Sequence, residues 1–146
     1  MAFRLPGTGP VYEPNWIVKY NKVKADATIN RGDIVKTTAE NAEPIAMGET
    51  AGLALEGYAQ ALENAIDEDS VQVACVGSII RGLCEGVISS GQKVKLKVIA
   101  SGKQTFEPAV AADVPLGSVI GTFLHVEGSP LVTVSKKDDV GVFLLG

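Results

Sequence analysis

The sequence VQVACVGSIIR, residues 71–81, decides the fold class. Apolar residues recur at alternate positions from Val71 to Cys75, and Gly77 and Ser78 then interrupt the run before Ile79. Alternation with a period of two is typical of a half-buried β-strand, and glycine and serine are typical of a turn. The stretch therefore predicts two short strands joined by a turn.

Short apolar runs separated by turn residues continue on both sides of this stretch. Residues 94–98, VKLKV, alternate strictly, which predicts a strand with apolar residues on one face and lysines on the other. The other candidate strands are residues 17–20, 33–37, 44–47, 86–88, 119–124, 131–134 and 140–144. Roughly eight or nine short runs at intervals of about 8–12 residues favour a sandwich or a barrel. We predict an all-β fold, a compact antiparallel β-barrel or sandwich, with at most one short helix.

One segment fits two kinds of structure. Residues 51–66, AGLALEGYAQALENAI, are rich in alanine, leucine and glutamate, which are good helix formers. Gly52 and Gly57 weaken a helix, and a period of two places Leu53, Leu55 and Ala59 on one face. We predict a strand through about Ala59, followed by a helical turn, and the helical alternative stays open.

Length and composition indicate one globular domain. The chain has 146 residues, and its hydrophobic content of 46% is too high for a disordered protein. Aromatic residues make up only 5% of the chain, which predicts a core of valine, isoleucine, leucine and alanine. We assign residues 17–146 to a single β domain.

The charges argue against two classes of partner. The net charge is −4, from 17 acidic and 13 basic residues mixed along the chain, so no basic patch for direct nucleic-acid binding is visible. No apolar run approaches the length of a membrane span, and the first ten residues lack the apolar core of a signal peptide. We therefore expect a soluble protein made in the cytoplasm.

Residues 1–16 differ from the rest of the chain and form a predicted extended arm. Proline recurs at positions 6, 10 and 14, which excludes a helix or a central strand. The same segment carries the large apolar residues Phe3, Leu5, Tyr12 and Trp16, which a plain linker would lack. We predict that these four residues are partner-binding anchors, because such residues dominate protein contacts. The arm either enters a groove of another subunit or folds back over its own domain.

Few residues are suited to catalysis. His125 is the single histidine, and neither it nor Cys75 or Cys84 lies in a recognisable nucleophile motif. The two cysteines lie in apolar sequence and are predicted to be reduced core residues, although a bridge across a hairpin stays open. We predict no catalytic residues, no cofactor and no metal site, so the protein is not expected to be an enzyme.

Two short polar motifs have ordinary explanations. The acidic run at residues 67–69 could bind calcium weakly, but a solvated turn before the next strand is favoured. Arg31-Gly32-Asp33 is an RGD tripeptide, yet it follows the turn-forming Asn30 and opens a predicted strand. Neither motif is assigned a ligand.

The order of these features resembles the small capsid decoration, or cement, proteins of tailed bacteriophages and related viruses. The resemblance is carried by INRGDIV at 29–35, GLALEG at 52–57, VQVACVGSIIRGL at 71–83, ISSGQKVKL at 88–96 and PLGSVIGTFL at 115–124. It implies a structural virion protein, commonly a homotrimer, that sits on the outer capsid surface and bridges major capsid proteins. From the residues alone, the alternative is a small β-barrel ligand-binding or accessory module.

Overall fold

The fold is all-β, as the alternation predicts. The computed structural model describes residues 17–24, 26–38, 41–45, 57–113 and 118–146. In that part of the chain the strands are β1 Val18–Val23, β2 Thr28–Ile29, β3 Ile34–Thr38, β4 Asn41–Pro44, β5 Tyr58–Ala61, β6 Ala65–Ile66, β7 Ser70–Cys75, β8 Ile79–Leu83, β9 Lys93–Val98, β10 Gln104–Pro108, β11 Val119–Val126 and β12 Val140–Leu145. The described helical structure is one 3-10 turn, Ala111–Asp113.

The first half of the chain closes into a small barrel. Its strand order is β1-β4-β3-β5-β7, with β7 returning to β1, and the pairs are antiparallel except for β1 with β4. The interior is filled by small and β-branched side chains, as a narrow barrel requires. These are Val23, Ile29, Val35, Ala42, Ala59, Ala61, Ala65, Val71 and Val73.

The second half forms an antiparallel sheet in the order β10-β9-β11-β12-β8. Phe143 lies at the centre of its core, with ring centroids 4.4 Å from Phe106 and 5.4 Å from Phe123. The predicted purely aliphatic core is therefore wrong for this half. Three of the eight aromatic residues of the chain meet in this one core, which overall composition does not reveal.

The barrel and the sheet share one core. Ile34 of β3 and Ala74 of β7 belong to the same cluster of buried residues as Phe143, and half-buried Tyr58 packs against that cluster. Because β7 alternates, Val73 faces the barrel interior while its neighbour Ala74 faces the sheet. At Val73 and Ala74, strand β7 is therefore buried on both of its faces.

A glutamine side chain also joins the two halves. Gln104 of β10 accepts a hydrogen bond from Ile34 N at 2.7 Å and donates one to Ile34 O at 3.0 Å. The pairing of β3 with β4 ends at Val35 and Pro44. The Gln104 amide bonds Ile34, which is the residue of β3 just beyond that pair. The side chain of Gln104 therefore replaces a strand at the point where β4 ends.

Replacing Gln104 by leucine is expected to lower the free energy of unfolding by about 2 kcal/mol, because buried Ile34 would lose both backbone partners. Urea unfolding followed by far-ultraviolet circular dichroism measures the change. Gln72→Leu is the matched control: its amide bonds only the exposed Tyr20 hydroxyl, at 3.3 Å, so the expected change is within about 0.5 kcal/mol. Equal losses in the two variants would contradict the role given to Gln104.

Most predicted strands are confirmed, with boundaries shifted by one to three residues, and two form no strand. Residues 86–88 form no strand, because the Ser135 hydroxyl accepts from Ile88 N at 2.9 Å and donates to Gly86 O at 2.7 Å. These bonds to a side chain take the place of a strand ladder. Residues 131–134 form only an isolated bridge, between Val134 and Ser89.

The predictions for residues 44–47 and 51–66 need correction. The strand predicted to start at Pro44 ends there instead, since proline has no N–H to continue a ladder. β5 starts at Tyr58, and residues 46–56 lie outside the described part of the chain. The predicted helical turn is wrong: Leu62 N donates to Gln72 O at 2.9 Å, which extends the pairing with β7, and β6 follows.

Candidate functional site

The four residues predicted to bind a partner lie outside the described residues. Phe3, Leu5, Tyr12 and Trp16 all belong to residues 1–16, and the described chain starts at Ile17, immediately before β1. The structure therefore places the root of the arm, Ile17, where the arm joins the β body.

The root of the arm is fixed to the β body by backbone bonds. Ile17 N donates to the buried Ser78 hydroxyl at 2.7 Å, and Ile17 O accepts from Cys75 N at 2.7 Å. The Ile17 side chain lies over Gly77, where an added Cβ would come within 2.8 Å of Ile17 Cδ1. The Gly77 φ of +100° also favours glycine. The turn predicted at Gly77-Ser78 thus holds the arm root.

Exposed apolar side chains surround this root. We call Ile17, Val18, Tyr20 and Val76 the arm-root patch; their exposed fractions are 57%, 42%, 65% and 48%. The chain end is close by, because Gly77 N donates to Leu145 O at 2.8 Å and a Cβ on Gly146 would come within 2.7 Å of Val76 Cγ1. Side chains alternate between the two faces of a strand, so Val18 and Tyr20 lie on one face of β1 and Ile17 lies on the other. The number of large exposed apolar side chains at this point makes the arm root a candidate interaction surface.

A second exposed apolar group lies on the sheet half. Leu131 is 88% exposed, and Val132, Val134 and Val87 are also exposed. Ser90 N donates to Thr133 O at 2.8 Å, which ties this segment to the loop before β9. The strand predicted at residues 131–134 gave no indication of this exposure.

The lysines of β9 point outward, as predicted, and are paired on their own face. Lys95 Nζ lies 3.2 Å from Asp113 Oδ2, and Lys97 Nζ lies 2.8 Å from Glu85 Oε1. The hydrogen bond from Val110 N, and then Lys95, lowers the pKa of Asp113. The lysine face is therefore neutralised by local acids instead of forming a basic stripe.

The candidate nucleophiles lie in different environments. Cys84 is buried in the core of the sheet, whereas Cys75 packs against the barrel core, and both thiols are free. The bridge left open by the sequence is therefore absent between them. Burial raises the pKa of the Cys84 thiol, with Asp139 adding to the effect and a hydrogen bond from Ser135 opposing it. An activated thiol would show the opposite shift.

His125 and the acidic run have structural contacts. His125 Nδ1 lies 2.8 Å from Val126 O. Asp67 Oδ1 accepts from Asp26 N at 3.0 Å, and Glu68 pairs with Lys22 at 3.4 Å. These contacts fit the favoured solvated turn. Within the described ranges, no group of three or more histidine, cysteine, aspartate or glutamate residues could hold a metal ion.

The RGD tripeptide lies at the junction of the barrel and the sheet. Gly32 has a φ of +92°, and the Asp33 carboxylate accepts from Asn30 N at 3.1 Å within the same turn. Burial raises the pKa of Asp33. This turn borders a cleft of about 390 Å³, which Lys103 and Gln104 also line. Its walls are mainly polar, unlike the apolar pockets that most small ligands occupy.

Comparisons with known proteins assign no family to the chain. None of the helices in the described residues is long and apolar enough to cross a membrane. No protein-family model matches the sequence. No curated protein matches it either.

Proposed function

We propose that this chain is a structural virion protein that decorates the outer surface of a capsid and stabilises it by bridging major capsid proteins. The observation that carries the proposal is the arm root. An arm with apolar and aromatic residues joins the β body at an exposed apolar patch, where two backbone hydrogen bonds and Gly77 hold its first described residue. A protein that braces a shell needs a rigid body and an arm that reaches a neighbour.

The β body has the rigidity that this role needs. The barrel and the sheet share a core, and Gln104 and Gln60 add polar contacts between them. Gln60 Nε2 donates to Gly32 O at 3.1 Å and to Arg81 O at 2.7 Å, which ties β5 to the sheet. Because a rigid body loses little entropy when it binds, many weak contacts on a repeating shell can add up.

The proposed assembly is a homotrimer on the virion surface, made in the host cytoplasm, with the major capsid protein as partner. The resemblance to capsid decoration proteins, which covers most of residues 29–146, supports this assignment, and so does the arm. Direct contact with nucleic acid or with a membrane is not part of the proposal, since the lysines of β9 are paired on their own face.

Deletion of residues 1–12 is expected to weaken binding to capsids by about tenfold or more, because Phe3, Leu5 and Tyr12 would be lost from the contact. The measurement is cosedimentation of purified protein with shells from which the native copies have been stripped. Val110→Ser is the matched control, because it removes an exposed apolar side chain that belongs neither to the arm-root patch nor to the exposed group around Leu131. The control is expected to bind like the unmodified protein.

Two results would count against the proposal. If the unmodified protein failed to bind stripped shells, the capsid function would be wrong. If the deletion variant bound as tightly as the unmodified protein, the arm would be incidental to binding. The mainly polar walls of the junction cleft do not favour the ligand-binding alternative, which a melting temperature that rose with a small metabolite would support.

A further inference from the structure

The two edges of β1 are paired unequally. On one edge, β1 runs antiparallel to β7 over five register pairs that begin at Val18. On the other edge, it pairs with β4 over only two, at Lys22 and Val23. Among the residues that the structure describes, the first half of β1 therefore has a strand neighbour on one edge only.

Val18 and Tyr20 direct their backbone groups to the unpaired edge. Cys75 N of β7 donates a hydrogen bond to Ile17 O, so the backbone groups of Ile17 point toward β7. Bonded and non-bonded positions alternate along an antiparallel pair, so the N–H and C=O groups of Val18 and Tyr20 point away from β7. The edge thus presents two donors and two acceptors.

The side chains along this edge are apolar, as they are in strands that pair with a neighbour. Ile17, Val18 and Tyr20 are all exposed, as part of the arm-root patch. An open strand edge with apolar side chains invites pairing with another chain, and native proteins usually cover such an edge.

We propose that the open edge of β1 binds the N-terminal arm of a second copy of this chain, as an added strand. Residues 11–13 lie four to six residues before Ile17, so they can extend to about 20 Å from the arm root. The arm of one copy can therefore reach a neighbour whose β1 edge lies within that distance of its own arm root.

The arm has a segment suited to pairing. Between Pro10 and Pro14, residues 11–13, VYE, each keep a backbone N–H. In the proposed register Tyr12 is the bonded position, so its N–H and C=O face the edge. Val11 and Tyr12 match the apolar edge, and Glu13 matches the exposed Lys19. Main-chain bonds with alternating side-chain contacts are the basis of strand addition.

Pro14 favours a second copy over the same chain. To pair with the strand that it leads into, an arm must reverse just before Ile17, where Pro14 and Asn15 would be the central residues of a two-residue hairpin turn. The turns that suit such hairpins need a positive φ at the first central residue, whereas proline fixes φ near −65°. A tight reversal at this point is therefore disfavoured.

Proline substitutions test the pairing from both sides. Sedimentation velocity of the full chain is expected to show an oligomer whose dissociation constant rises about tenfold or more in Val18→Pro, which removes a donor from the open edge only. Tyr12→Pro removes a donor from the arm, outside the barrel, and is expected to have a similar effect. Because both remove the same contact, the double variant is expected to be little weaker than either alone.

The matched control is Val18→Thr, which keeps the N–H and the branched side chain and is expected to stay oligomeric. A monomeric unmodified chain would overturn the proposal, whether its arm covers its own edge or waits for a shell. An oligomer that neither proline weakens would also overturn it. Tyr12→Pro remains decisive if Val18→Pro fails to fold. No capsid is present in this experiment, so its outcome is independent of the proposed virion function.

Discussion

Phe143→Ala is expected to lower the free energy of unfolding by about 3–5 kcal/mol, which is a large part of the stability of a domain of this size. Phe143 is fully buried in β12, between the rings of Phe106 and Phe123. Removing its ring leaves a cavity and ends both aromatic contacts. The cavity would open in the core that the barrel and the sheet share, so both halves should lose stability together.

Urea unfolding measures this loss, and the next residue provides the control. Leu144 belongs to the same strand, but its side chain points outward and is 38% exposed. Leu144→Ala is therefore expected to cost under about 1 kcal/mol. If the sheet signal were lost in Phe143→Ala at low urea while the barrel unfolded at its usual urea concentration, the two halves would not form one cooperative unit.

Alternation in the sequence was sufficient to predict the fold class, because strands with a buried face repeat their apolar residues with a period of two. It could not separate the barrel from the sheet. Val73 and Ala74 are neighbours and are both buried, yet they face different cores. That division depends on which strands pair across long distances in the chain, and a single sequence carries no direct signal of such pairing.

Polar side chains that take the place of a strand neighbour were not predictable. Gln104 pairs with the Ile34 backbone, and Ser135 bonds both Gly86 and Ile88. Nothing in the local pattern marks this glutamine or serine as a backbone partner, since each acts on residues far away in the chain. β10 was missed for a related reason, because its sequence QTFEP contains a single large apolar residue.

The candidate site was predictable only in part. Proline and aromatic residues marked residues 1–16 as an arm, and its binding role stays a prediction. The open edge of β1 had no signal in the sequence, because it depends on how few pairs β1 makes with β4. Val18 and Tyr20 look like ordinary strand residues in the sequence, and only the register shows that, within the described part of the chain, their backbone groups have no strand neighbour on that side.

Gly121 lies in the segment PLGSVIGTFL, residues 115–124, and the structure gives a physical reason for glycine at this position. It lies in β11 opposite Leu145 of β12, where the strands approach so closely that a Cβ would come within 2.5 Å of Leu144 O. The blocking atom belongs to the backbone, so no side chain can rotate to make room. The spacing between β11 and β12 therefore depends on glycine at this position.

Gly121→Ala is expected to lower the free energy of unfolding by about 3 kcal/mol, at the upper end of the cost of overpacking, because β11 and β12 must separate to admit one methyl group. Gly86→Ala is the matched control: nothing lies within 4 Å of a Cβ there and φ is not positive, so the change should stay within about 0.5 kcal/mol. Urea unfolding of both variants measures the difference. Equal stabilities would show that the two strands have more room than the structure gives them, and would remove the reason for glycine at position 121.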